Sequence, residues 1–127
     1  LNPQLADDPA AEVAFIVTRL RQADESRPIA IEVEDEISFR ACLEQRVDII
    51  LVDNTSPELL SRWIEAAGEA GLSLEASAIE ASGGIDEESV SGHAAAGVSR
   101  ISCGAITHSA AALDLTLRID PVPRSSS

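Results

Sequence analysis

Positive charge is what this chain has least of. Nine basic residues stand against 22 acidic ones in 127, a formal net charge of −13, so any broad surface would repel a nucleic-acid backbone or an anionic membrane. Neither partner is expected. Cysteine is scarce too: Cys42 and Cys103 lie far apart, with no CxxC pair and no histidines at metal-ligand spacing. That argues against zinc and for two buried thiols in a reducing cytoplasm. No apolar run approaches the ~18 residues of a membrane span, and no charged segment followed by an apolar one opens the chain. An initiating methionine is also missing. Leu1-Asn2-Pro3 reads as the continuation of something, so a fragment or a processed product is expected.

What is present is the material of one globular domain: 45% hydrophobic residues over a length that can bury an ordinary core. Asp8 followed by Pro9 is an N-cap with proline at the first helical position, and Val13, Ile16, Val17 and Leu20 then recur at helical spacing. A helix is expected over 9–24. Ile29 to Glu34 alternates apolar with acidic residues toward its end and reads as a strand. Asp35 can cap a second helix carrying Ile37, Ala41 and Leu43, and Val47 to Asn54 is a β-branched run of the kind buried on both faces of a parallel sheet. Ser56-Pro57 caps a third helix with an apolar stripe of Leu59, Leu60, Trp63, Ile64 and Ala67, which Gly68 or Gly71 should end. Trp63 belongs to the core on this pattern.

Leu72 to Ser77 and Ala78 to Ser82 look like a short local duplication. Only the second copy runs into Gly83-Gly84, so the strand is placed there and the first copy is read as a lengthened loop. Asp86 should cap a fourth helix ending at Gly97, and Val98 to Cys103 the next strand. His93 reads as a surface residue of that helix, and Arg19, Arg21, Arg40 and Arg46 as solvated helix charges.

Strict alternation of helix and strand implies an α/β fold with a parallel sheet, here a partial (β/α) barrel of about four strands over residues 1–112. Eight would close it. Residues 113–120 instead alternate apolar and polar with period two, as a strand does when one face is wet, and should pair outside the barrel; residues 121–127 have the composition of a disordered tail.

Polar groups collect where the strands end: Glu32 and Glu34, Asp53 and Asn54, Ser82 with Gly83 and Gly84, Gly104 with Thr107 and His108. Active sites of (β/α) barrels lie at that rim. Glycine just past a parallel strand lets backbone N–H groups approach a phosphate, and a following helix aims its positive end there. Carboxylates from two neighbouring strands suit Mg²⁺ held through water, or the hydroxyls of a ribose. A phosphorylated sugar held with magnesium satisfies both. His93 and the scattered arginines take no part in this reading.

These segments carry a resemblance. Ile31-Glu32-Val33-Glu34, Leu51 to Pro57, Glu80 to Ile85, Gly97-Val98 and Ser102 to Ser109, running on to Leu113-Asp114-Leu115, are similar to the carboxyl-terminal part of quinolinate phosphoribosyltransferase, also called nicotinate-nucleotide pyrophosphorylase (carboxylating). The resemblance spans about residues 28–120 in the family's order. It implies transfer of phosphoribose from phosphoribosyl pyrophosphate to quinolinate with loss of carbon dioxide, giving nicotinate mononucleotide for NAD biosynthesis. By position it implies Glu34 and Asp53 at the ribose and Mg²⁺ side, Ser82, Gly83 and Gly84 at one phosphate-binding turn, and Gly104 and His108 at the other.

It also implies an amino-terminal domain, with which 113–120 would pair, and a homodimer or higher homo-oligomer for the complete protein. The family's cationic residues for quinolinate and pyrophosphate have no counterpart here, so the chain alone is expected to be inactive. Two rival readings stay open: a non-catalytic remnant or interaction module that pairs with another chain, and a phosphoribosyltransferase-like protein of molybdenum metabolism.

Overall fold

A computed structural model of the chain describes residues 8–104. Their order is α1 (Pro9–Ala23), β1 (Ala30–Val33), α2 (Glu36–Glu44), β2 (Ile49–Asp53), α3 (Pro57–Glu69), β3 (Ala78–Ser82), α4 (Val90–Ala95) and β4 (Arg100–Ile101). The strands form one parallel sheet in the order β1-β2-β3-β4. Sequential order with right-handed crossovers lays successive helices on the same side, and α1 packs on α2, α2 on α3 and α3 on α4. This open sheet is the partial α/β barrel expected from the alternation.

Local chemistry sets the first three helix starts. The Asp8 carboxylate accepts from the N–H groups of Ala10 and Ala11, that of Asp35 from Ser38, and the Ser56 hydroxyl from Leu59, each satisfying amide donors that a first turn leaves free. Gly71, at a φ of +76°, ends α3: its N–H reaches the Gly68 carbonyl and that of Leu72 the Ala67 carbonyl. Gly68 stays inside the helix. The loop over 72–77 is present as expected.

The core lies between the helices and one face of the sheet. Val33, Ile50, Val52, Ile79 and Ala81 alternate with outward-facing neighbours and pack on Phe39, Cys42, Leu60 and Trp63. Phe39 and Trp63 rings lie 5.9 Å apart and tilted. Burial pushes the Cys42 thiol up to about 11, with the Asp35 carboxylate adding to it, so this sulfur behaves as a packing group.

Five expectations change. Ile37 is 60% exposed and leaves the apolar stripe of α2, which Phe39, Ala41, Cys42 and Leu43 supply instead. Asp86 closes a turn over 86–89 rather than capping the helix, which starts at Val90. The last strand is shortened to Arg100–Ile101. Cys103 is only partly buried. Arg46 sits past the end of α2 at a φ of +51°, and Arg21 reaches it: its Nη2 donates to the Arg46 carbonyl at 2.8 Å and lies 3.8 Å from Asp48. The strand expected at 113–120, the tail at 121–127 and the barrel boundary at 112 lie outside the described residues.

Candidate functional site

Pleating assigns the polar residues to one face. In the parallel register Glu32 is level with Leu51, Glu80 and Arg100, while Asp53 is level with Ser82. Side chains two apart share a face, so Glu32, Leu51, Asp53, Glu80, Ser82 and Arg100 all lie opposite the helix-covered core. In a closed barrel that side is the interior.

Within this layer Glu80 is the hub of one pair of contacts. Its carboxylate accepts from the Ser102 hydroxyl at 2.5 Å and lies 4.0 Å from the Arg100 guanidinium. At the strand mouths Asp53 is the hub of another. Its Oδ2 accepts from Asn54 Nδ2 at 2.6 Å and its Oδ1 from Ser82 Oγ at 3.3 Å. The chain then turns sharply: Asn54 has a φ of +48°, its N–H donates to the Ser82 carbonyl at 3.0 Å, and Thr55 Oγ1 donates to the Asp53 carbonyl at 3.1 Å.

Beside this corner, Gly83 and Gly84 have φ of +83° and +59°. A Cβ on Gly83 would meet Asn54 Oδ1 and Asp53 Oδ1 at 2.5 Å, so the glycine turn passes directly over the acidic corner. No larger residue fits there without displacing the Asp53 carboxylate.

Glu32, Glu34 and Asp53 converge, each offering a carboxylate oxygen within 4.8 Å of the others. Carboxylate oxygens are the ligand type that Mg²⁺ takes from a protein, one or two at a time, while keeping its remaining ligands as water or substrate oxygens. Glu32 was legible only as a strand-end acid. It enters the group because the residue two before Glu34 shares its face, and from its place level with Leu51 it lies diagonally across from Asp53 on the neighbouring strand.

Of the other candidate residues, Ser82 and Gly83 adjoin Asp53, with Gly84 next in the turn, and Gly104 lies in an exposed turn past β4, the strand that pairs with β3. His108 falls outside the described residues. His93 requires a correction: it is buried, 5% exposed, with Nε2 3.0 Å from the Thr55 carbonyl oxygen and Nδ1 3.0 Å from that of Ser89. Glu58, in the first turn of α3, is held below the usual carboxylate range, chiefly by its own backbone N–H and the Ser56 hydroxyl.

The family model described as quinolinate phosphoribosyl transferase, C-terminal domain, matches residues 8–118. The chain belongs to that family.

Among relatives of this quinolinate phosphoribosyl transferase domain, the probable nicotinate-nucleotide pyrophosphorylase [carboxylating] of Methanocaldococcus jannaschii is 32% identical over 120 residues, covering 91% of this chain and 42% of its own. The protein of the same name from Archaeoglobus fulgidus is 46% identical over 94 residues, covering 74% and 36%. The structure of the nicotinate-nucleotide pyrophosphorylase from Francisella tularensis superposes with a TM-score of 0.62 at 32% identity, covering 75% of this chain and 32% of that one. The chain thus spans well under half the length of these relatives. Within the quinolinate phosphoribosyl transferase domain, Asp53, Ser82, Gly83 and Gly84 come from adjacent strand ends, β2 and β3, with the acids of β1 alongside.

Proposed function

We propose that the chain is the barrel portion of an enzyme that transfers phosphoribose from phosphoribosyl pyrophosphate to quinolinate, with decarboxylation to nicotinate mononucleotide, and that it holds the ribose-phosphate half of the site. The observation that carries this is the gathering of the Glu32, Glu34 and Asp53 carboxylates with Asp53 directly against the Ser82–Gly84 turn, in a chain of this family. Homologues named for nicotinate-nucleotide pyrophosphorylase support it.

Each part has a chemical task. As the bond to pyrophosphate lengthens, positive charge builds on the ribose ring, and carboxylates fixed beside that ring favour it. Asp53 is held for this by Asn54 and Ser82. Glycine at 83 and 84 bares backbone N–H groups for the phosphate oxygens, and Gly104 and His108 are assigned to the same phosphate. Glu32, Glu34 and Asp53 would hold Mg²⁺, which when bound neutralises charge on the departing pyrophosphate.

All nine basic residues of the sequence are arginines, and among those described only Arg100 lies on the site's face of the sheet, already facing Glu80. A dicarboxylate such as quinolinate needs cationic partners that this stretch does not supply. The purified chain is therefore expected to form no nicotinate mononucleotide by itself, yet to bind phosphoribosyl pyrophosphate with Mg²⁺. An amide NMR titration checks both halves: shifts at Ser82 to Gly84 are expected, and silence there, or turnover by the lone chain, would sink the reading.

One observation favours a second reading. β1 and β4 each pair on one side only among the described residues, so the sheet offers two edges to a further chain or segment. Light scattering separates the readings, since a well-folded lone monomer counts against obligatory pairing.

A further inference from the structure

The acidic corner is built on a turn that its own residues do not fully hold. Asn54 occupies the left-handed region at a φ of +48°, a conformation that persists in a non-glycine residue when the surroundings enforce it. On one side the enforcement is visible in the sheet, where the Asn54 N–H bonds to Ser82. On the other side lies Thr55, buried at 8% exposure, whose carbonyl is reached by no backbone N–H among the described residues. Its hydrogen-bond partner is His93, 38 positions on in the chain.

We propose that His93 is a positioning residue that locks the Asp53-Asn54-Thr55 turn to α4. Both ring nitrogens face carbonyl oxygens at 3.0 Å, Nε2 that of Thr55 and Nδ1 that of Ser89, and a carbonyl can only accept. The Ser89 carbonyl already takes the His93 backbone N–H, while that of Thr55 has no other donor among the described residues, and this assigns a ring proton to Nε2. The ring reaches so far because α4 sits against the start of α3: a Cβ on Gly92 would lie 3.0 Å from Pro57 Cγ. The glycine turn that leads into α4 and the acidic turn that leads into α3 are then tied at both ends, by Gly83 against Asp53 and Asn54 and by His93 against Thr55. Phosphate cradle and carboxylate group move as one piece. The effect on metal rests on the reading of the carboxylates given above; the effect on the turn does not.

The test uses the full chain, Mn²⁺ as probe, and the variants His93→Leu, His93→Gln and His93→Asn. In the unaltered protein a long-range ¹⁵N correlation is expected to place a proton on Nε2, and the Asn54 amide to exchange slowly. His93→Leu should speed that exchange and weaken Mn²⁺ binding about tenfold, the loss typical when a residue orienting a ligand is removed. His93→Gln, whose carboxamide nitrogen takes roughly the place of Nε2, should restore both. The proposal is overturned if a cooperatively melting His93→Leu keeps slow exchange, or if Gln performs no better than Leu. Should His93→Leu fail to fold, Gln against Asn decides: the shorter amide falls short of Thr55, and equal exchange rates in the two would overturn the idea. Absence of Mn²⁺ binding by the unaltered chain would sink the metal reading alone, leaving the Asn54 exchange rates to judge His93.

Discussion

Gly83 is the residue at which the site has least tolerance. A methyl group there would press on two side-chain oxygens while the backbone sits at a φ of +83°, so relief of one strain leaves the other. Gly83→Ala is expected to destabilise the chain by at least about 2 kcal/mol and to weaken phosphoribosyl pyrophosphate binding. Gly68 is the control: it lies in α3 with open space around its Cα, and alanine there should stabilise by roughly 0.5–1 kcal/mol. Paired urea midpoints check both signs, and a neutral Gly83→Ala would contradict the packing. The turn itself was legible, because two glycines straight after a strand free the backbone to reverse sharply, as their φ of +83° and +59° shows. The choice between Glu32 and Glu34 was not. They flank the end of β1 at Val33, and only the folded sheet shows that both reach Asp53.

Helix starts were legible wherever one side chain settles them, as Asp8, Asp35 and Ser56 do. The start of α4 was not, because an aspartate that closes a turn and one that caps a helix look alike in sequence. Asp86 accepts from the N–H groups of Glu88 and Ser89 and from the Ser89 hydroxyl, and the helix begins only after that turn. These bonds, those to Ser89 first, hold its carboxylate below the ordinary 3.8. The folded chain therefore binds fewer protons here than the unfolded one. The stabilisation is complete above 3.8 and is lost as pH falls through the lower folded value. Urea midpoints measured down the acid limb should fall more steeply for the unaltered chain than for Asp86→Asn, which has no proton to take up at this position. Parallel curves would show that the turn contributes nothing. The burial of His93 was hidden for a related reason: which face of so short a helix turns inward is set by Gly92 resting on Pro57, a contact between distant parts of the chain.

For the molecule as a whole, charge and architecture pull in opposite directions. Alternating apolar runs made the parallel sheet legible from sequence, but the same sheet gathers Glu32, Glu34 and Asp53 within 4.8 Å in a chain of net charge −13. Two like charges near that distance cost about 1 kcal/mol even in water, and the unfolded chain, which spreads them apart, escapes the cost. A divalent cation that binds only the folded arrangement reverses the balance and raises stability with its concentration. General screening relieves repulsion over the whole surface without needing this site. MgCl₂ is therefore expected to raise the melting temperature beyond NaCl at matched ionic strength. Glu32→Gln should behave differently in both respects: it removes one repelling carboxylate, so its metal-free melting temperature rises slightly, by the equivalent of less than about 1 kcal/mol, while the extra increment from MgCl₂ shrinks. Superimposed MgCl₂ and NaCl curves for the unaltered chain would mean that the three carboxylates meet without forming a cation site.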